Sequence, residues 1–199
     1  MAVVSGTTRT RTEHSLPLGL LGLTVSMGVP LVLAAAGIAA EGWGAISWPG
    51  ALVWGVVATA AFTLFSIMGK AVGMTRMDLL DLLGSTVATP HTGAARAVGA
   101  VMHHMNGAVL AVAWAYGTAL LGLSADWATG LLWGAVLTPL ALLMMSTVGT
   151  VHPAMRHGRQ DDPGPAAVHF GSMTPLGSLL GHLVYGLVLG LLYQAWPLA

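Results

Sequence analysis

The sequence predicts an all-α, polytopic membrane protein of about five transmembrane helices, with two parallel-repeat helical hairpins and one N-terminal helix. Three observations carry this. Only 7% of the 199 residues are charged, against about 25% in ordinary soluble domains. Five long stretches contain no Asp, Glu, Lys or Arg at all. All seven Lys and Arg fall outside those stretches, in alternate connecting segments.

Residues 1–16 form a polar tail with Arg9, Arg11, Glu13 and His14. Residues 17–199 form a single transmembrane helical domain. The first span, 17–40, is long enough to cross about 30 Å of hydrocarbon at 1.5 Å per residue. It exceeds the 7–15 apolar residues typical of a signal peptide, so it reads as a retained anchor. Pro30 marks a kink within it. The remaining spans are 51–69, 97–123, 128–151 and 175–195. Pro139 marks a second kink, in span four.

Between spans two and three, Asp78 and Asp81 stand at i, i+3 among leucines, which predicts a short amphipathic helix at the membrane surface with both carboxylates on its wet face. The loop between spans four and five holds HGRQDDPGP, a run of turn formers and charges. His152, His157 and His169 lie in or beside it and read as solvated loop residues.

Orientation follows from the cations. With an inside N-terminus, the inside segments 1–16, 70–96 and 152–174 hold Arg9, Arg11, Lys70, Arg76, Arg96, Arg156 and Arg159, and the outside segments hold none. The positive-inside rule therefore places the tail in the cytoplasm and the C-terminus outside, in a bacterial plasma (inner) membrane. Trp43, Trp48, Trp54, Trp127, Trp133 and Trp196 lie toward the opposite ends, as an interfacial belt does.

Two blocks repeat at one ungapped offset of 79 residues. Leu52 to Thr59 and Leu131 to Thr138 both read L-x-W-G-x-V-x-T. His103 to Leu110 and His182 to Leu189 both read H-x-x-x-G-x-V-L. This predicts a tandem duplication, 51–124 and 130–199, of two parallel hairpins related by a pseudo-twofold axis along the membrane normal. They would form a four-helix core with span one peripheral to it. The repeated pattern is small-x3-His-x3-Gly: Gly99, His103 and Gly107, then Ser178, His182 and Gly186, with Gly190 one step further. Small residues at this spacing let helices approach closely, and the histidine shares their stripe, roughly 10 Å from the inner end.

Ionisable groups inside a membrane are costly and mark functional candidates. Paired at equal depth, His103 and His182 suit bis-histidine ligation of haem b. With His104, and with Met102 and Met105 nearby, they suit a transition metal. A third reading is a polar cleft for protons or a small solute, lined by the pair, Asn106 and Tyr185, with Asp78 and Asp81 at its mouth. Against these stands interhelical hydrogen bonding, worth ~0.6 kcal/mol on average. Met144 and Met145 read as core filler.

Several classes are excluded or unsupported. The chain has no cysteine, so disulfides, thiolate metal sites and a Cys nucleophile are ruled out. Zero net charge implies no nucleic-acid partner. No P-loop, GxSxG, HExxH or GxGxxG occurs in a fitting context, which favours a non-enzyme. The partners expected are the lipid bilayer and either a second copy or the other subunits of a membrane complex.

Asp78 to Gly84 (DLLDLLG), His103-x3-Gly107, Tyr116, Gly181-His182-x2-Tyr185-Gly186 and Tyr193 together resemble the YagU-like small inner-membrane proteins of bacteria. The resemblance spans residues 51–195. It implies a helical inner-membrane protein and brings no activity with it.

Overall fold

A computed structural model describes residues 16–198; the tail with Arg9, Arg11, Glu13 and His14 lies outside them. Five helices are long and apolar enough to cross a membrane, and no strand occurs among the described residues. They are α1 (Leu16–Glu41), α2 (Trp48–Ala71), α4 (Gly93–Leu120), α5 (Trp127–Thr147) and α7 (Thr174–Ala195). Two short helices, α3 (Leu79–Gly84) and α6 (Pro153–Arg156), lie in the connections.

Caps set the helix starts. Ser47 Oγ accepts from Gly50 N–H at α2, Thr92 Oγ1 from Ala95 N–H at α4, and Asp126 closes a capping box with Thr129 at α5. Each satisfies amides that the first turn leaves without partners. Thr92 also explains why α4 begins at Gly93, ahead of the predicted 97. Asp78 caps the start of α3, and residues 85–92 connect its end to α4.

The five long helices make a ring, each touching its two neighbours in the order α1, α4, α2, α7, α5 and back to α1. Lys70, Arg76, Arg96, Arg156 and Arg159 fall at one end of the ring and Trp43, Trp48, Trp127 and Trp196 at the other; these are called here the cationic and tryptophan ends.

Two antiparallel pairs carry the closest packing. In α2/α4 a Cβ on Gly107 would collide with Thr59 and Gly55, and a Cβ on Gly55 with Ala108 and Ala111. In α5/α7 a Cβ on Gly186 would fall on the Gly130 carbonyl, one on Gly134 on the His182 carbonyl, and one on Gly190 on the Asp126 carbonyl. Backbones this close leave no room for a side chain. Gly99 is different. It faces α3, where a Cβ would meet the Leu80 carbonyl, and so does not serve a transmembrane interface.

The ring departs from a four-helix core with a peripheral first span. A twofold pair of hairpins would make the α4–α5 contact match the α2–α7 contact. Instead α2 and α7 pack along each other, α4 and α5 barely meet, and α1 fills the gap as a full wall helix. It crosses that gap on a diagonal. Near the cationic end Gly19 and Gly22 sit against Thr150 and Thr147, and Ser26 Oγ donates to the Leu140 carbonyl at 2.7 Å. Toward the tryptophan end Gly37 sits against the Tyr116 ring and Leu33 against Gly117.

At the tryptophan end Tyr116 Oη donates to Trp43 O at 3.1 Å, Ser47 N–H donates to Tyr193 Oη at 2.9 Å, and Trp54 Nε1 donates to Trp196 O at 2.6 Å. Trp133 leaves the expected belt. It is 7% exposed and packs in the core with Trp114, because the α5/α7 approach turns that side of α5 inward.

Replacing Gly186 or Gly107 with Val forces its helix pair apart. Each change is expected to lower stability by about 1–3 kcal/mol, the range for overpacking. Gly44→Val, in open space, should leave the melting temperature within error. Thermal unfolding in mild detergent, followed by circular dichroism, checks both.

Candidate functional site

The ring encloses a chamber of about 330 Å³ in its cationic half. Every long helix contributes wall residues, and α3 with the segment around His152 forms the floor. The lining is apolar apart from a few groups. Six of its residues are methionines: Met27, Met74, Met77, Met102, Met144 and Met145. Their unbranched thioether side chains adapt to the shape of what they touch. No Asp, Glu, Lys or Arg lines the chamber.

His103 and His182 both line it, and Phe62 packs against each of them. The Phe62 ring lies edge-on to each imidazole, with centroids 5.3 Å from His103 and 5.0 Å from His182. His182 Nδ1 lies 2.8 Å from the Ser178 carbonyl one turn back. Nδ1 therefore carries the proton, and Nε2 keeps its lone pair. His103 Nε2 is buried with no hydrogen-bond partner, a group that calls for an explanation in a folded protein. Asn106 and Ser178 complete the polar lining beside the pair.

The other predicted residues go elsewhere. His104 is not a chamber residue; its Nδ1 lies 2.7 Å from the Ala100 carbonyl, as expected when successive helical residues diverge by about 100°. Tyr185 is buried and donates to the Gly107 carbonyl at 2.6 Å. It ties α7 to α4 one turn beyond the histidines and does not line the chamber. No group of three or more His, Asp or Glu among the described residues is arranged to hold a metal ion.

Asp78 and Asp81 do not form one wet face. Asp78 caps α3 and sits outside the chamber, with Lys70 Nζ at 2.7 Å and Arg96 Nε at 3.1 Å. Partial burial alone would raise its pKa, but hydrogen bonds from Lys70, the Asp81 N–H and Arg96 outweigh that and hold the carboxyl below the ordinary carboxylate value. Asp81 is 1% exposed. It accepts the His91 N–H at 2.7 Å and Gln160 Nε2 at 3.3 Å, with His91 Nδ1 at 3.1 Å. The i, i+3 rule misplaced it because α3 lies flat on α4 through Gly84 and Gly99, so a second face of the short helix is covered.

Asp81 and Gln160 join the two cationic-end connections. Arg76 N–H donates to Phe170 O at 2.7 Å, and the hydroxyls of Thr75 and Thr174 lie 2.9 Å apart. His152, read from the sequence as a solvated loop residue, is buried at the centre of this lid and lines the chamber floor. Its Nε2–H donates to Leu82 O at 3.0 Å, and its Nδ1 accepts Met155 N–H at 3.4 Å as the cap of α6. The Pro153 that follows it was the available signal, since Pro at the first helical position marks the preceding residue as a cap.

No family model, curated protein or solved structure matches this chain.

The neutral His152 ring uses both nitrogens, and burial pushes its pKa down despite the Leu82 contact. Protonation in the unfolded chain begins near the ordinary value of about 6.5. Stability from this residue is therefore complete above that pH and falls as pH drops toward the lower folded value. Melting temperature should decline from pH 7.5 to pH 5. His152→Asn, which keeps an acceptor for the α6 cap, should make that decline shallower; an equal decline in both proteins would assign the effect to other groups.

Proposed function

We propose that this is a non-enzymatic integral membrane protein that holds a small apolar or amphiphilic molecule within the bilayer. One observation carries the reading: a ring of five helices surrounds a largely apolar, methionine-lined chamber whose lining includes His103, His182 and Asn106 and no Asp, Glu, Lys or Arg. A volume of about 330 Å³ falls at the lower end of ligand-pocket sizes, about 300–1,000 Å³. Such a space in the middle of a tight helical bundle forfeits packing contacts unless something occupies it.

The location proposed is the bacterial inner membrane, cationic end inward, so that α3 and the His152 lid face the cytoplasm. The like glycine contacts of α2/α4 and α5/α7 support a duplicated hairpin as the origin of the ring.

A second reading is haem b or a transition-metal ion held by His103 and His182. The partnerless His103 Nε2 and the free Nε2 of His182 favour it. Both rings pack against Phe62, and among the described residues no further His, Asp or Glu joins them to make a group of three ligands. Passage of protons or solutes is supported less well, because the Tyr185–Gly107 bond and the lid cross the two ends of the chamber. An accessory role in a membrane complex rests on the small-residue stripes, which are already used within the chain.

Protein purified in mild detergent, extracted into organic solvent and analysed by mass spectrometry, should release a near-stoichiometric apolar compound. The same sample should show no haem bands and no bound metal. A split Soret band, or one metal per chain lost in both His103→Ala and His182→Ala, would replace the first reading with the second. A reporter fused after Ala199 should read outside; a cytoplasmic signal would overturn the orientation.

A further inference from the structure

Two residues of the chamber lining are exposed, Leu23 on α1 at 40% and Met102 on α4 at 37%, while the others are buried or half-buried; the two mark a side door. The diagonal course of α1 explains this. Gly19, Gly22 and Ser26 bind α1 to α5 and the segment after it, and the close contacts with α4 come further along, where Gly37 and Leu33 reach Tyr116 and Gly117. The gap lies in the cationic half. Leu83 and Thr86 of the α3 region form its sill, with Thr86 Oγ1 3.9 Å from Met102 Sδ. The opening therefore faces lipid, and its rim is apolar.

The interior indicates what could pass. A charged head would meet no carboxylate, Lys or Arg in the lining, and burying an unpaired charge is strongly unfavourable. A purely apolar molecule would leave both Nε2 atoms without a hydrogen-bond partner. His182 offers Nε2 as an acceptor because Nδ1 is committed to Ser178, and His103 Nε2 lacks any partner. Asn106 adds an amide beside them. An acceptor at His182 and, at His103, a partnerless ring nitrogen that donates in its Nε2–H form, with methionines around them, match a hydroxyl group, which donates once and accepts, on a flexible or planar apolar body.

We infer that the ligand is an uncharged amphiphile with a hydroxyl head, taken sideways from the adjacent leaflet between α1 and α4, its hydroxyl bonded at His103 and His182 and its apolar part among the methionines. This rests on the reading that the chamber holds a ligand, and it adds the ligand class and the route.

The test uses full-length protein in lipid nanodiscs with three photoreactive probes of one chain length: a long-chain alcohol, its methyl ether and the corresponding fatty acid. The alcohol should label chamber peptides at least several-fold more than the ether or the acid. His182→Phe and His103→Phe should remove that preference while the ether signal persists. The absence of native cysteine permits a reversible plug. Met102→Cys modified with a bulky thiosulfonate should lower labelling about ten-fold, and reductant should restore it in the same sample.

If no probe labels the chamber, in wild type or in a folded His182→Gln control, the binding reading itself fails. If all three label it equally and the histidine variants change nothing, the hydroxyl assignment fails and the binding reading stands. Equal labelling with the plug in place overturns the lateral route alone, and preference for the fatty acid replaces the hydroxyl class with a carboxylic one.

Discussion

Backbone-to-backbone contact at glycine governs this structure. In lipid, helices gain nothing from hiding apolar side chains from one another, so close van der Waals packing must hold them. Gly55 and Gly107 supply it in one pair, and Gly130, Gly134, Gly186 and Gly190 in the other. These contacts draw α2 onto α4 and α5 onto α7, leaving the seam between the pairs to larger side chains. The pairs meet along α2 and α7 but splay at α4 and α5, and α1 wedges into the splay. The chamber is the space such an arrangement cannot fill: tight within pairs, loose between them.

Much of this was legible in the residues. Uncharged runs gave the five spans, alternating cations gave the two ends, and the shared spacing around His103 and His182 singled out groups that do line one chamber. What could not be read was direction around each helix axis. Gly99 and Ser178 occupy matching positions, yet Gly99 supports α3 while Ser178 lines the chamber and bonds to His182. A repeated pattern fixes position along a helix; which neighbour it faces depends on parts that are not repeated, here α1 and the connections.

The same limit explains Asp81, His152 and Phe62. Asp81 and His152 are polar residues in connections, for which solvent is the default reading. Both are buried because two connections far apart in sequence fold over one another and need internal acceptors and donors to do so. Phe62 lies outside every short motif. Its contact with both imidazoles arises from three helices meeting, which no local pattern encodes.

The bonds that close the ring also bear on how the chain is made. Ser47 is held by Tyr193, Trp54 by Trp196, and Asp81 by Gln160. The N-terminal residue of each pair is synthesised long before its counterpart. Without α7 the chamber lacks Thr174, Ser178 and His182 from its wall, and Phe62 lacks one of its two imidazole neighbours. Helix α7, made after the other four long helices, completes the wall. Insertion and chamber formation are therefore separate events in time, and a nascent chain stopped before α7 would be fully membrane-embedded while still lacking an interior.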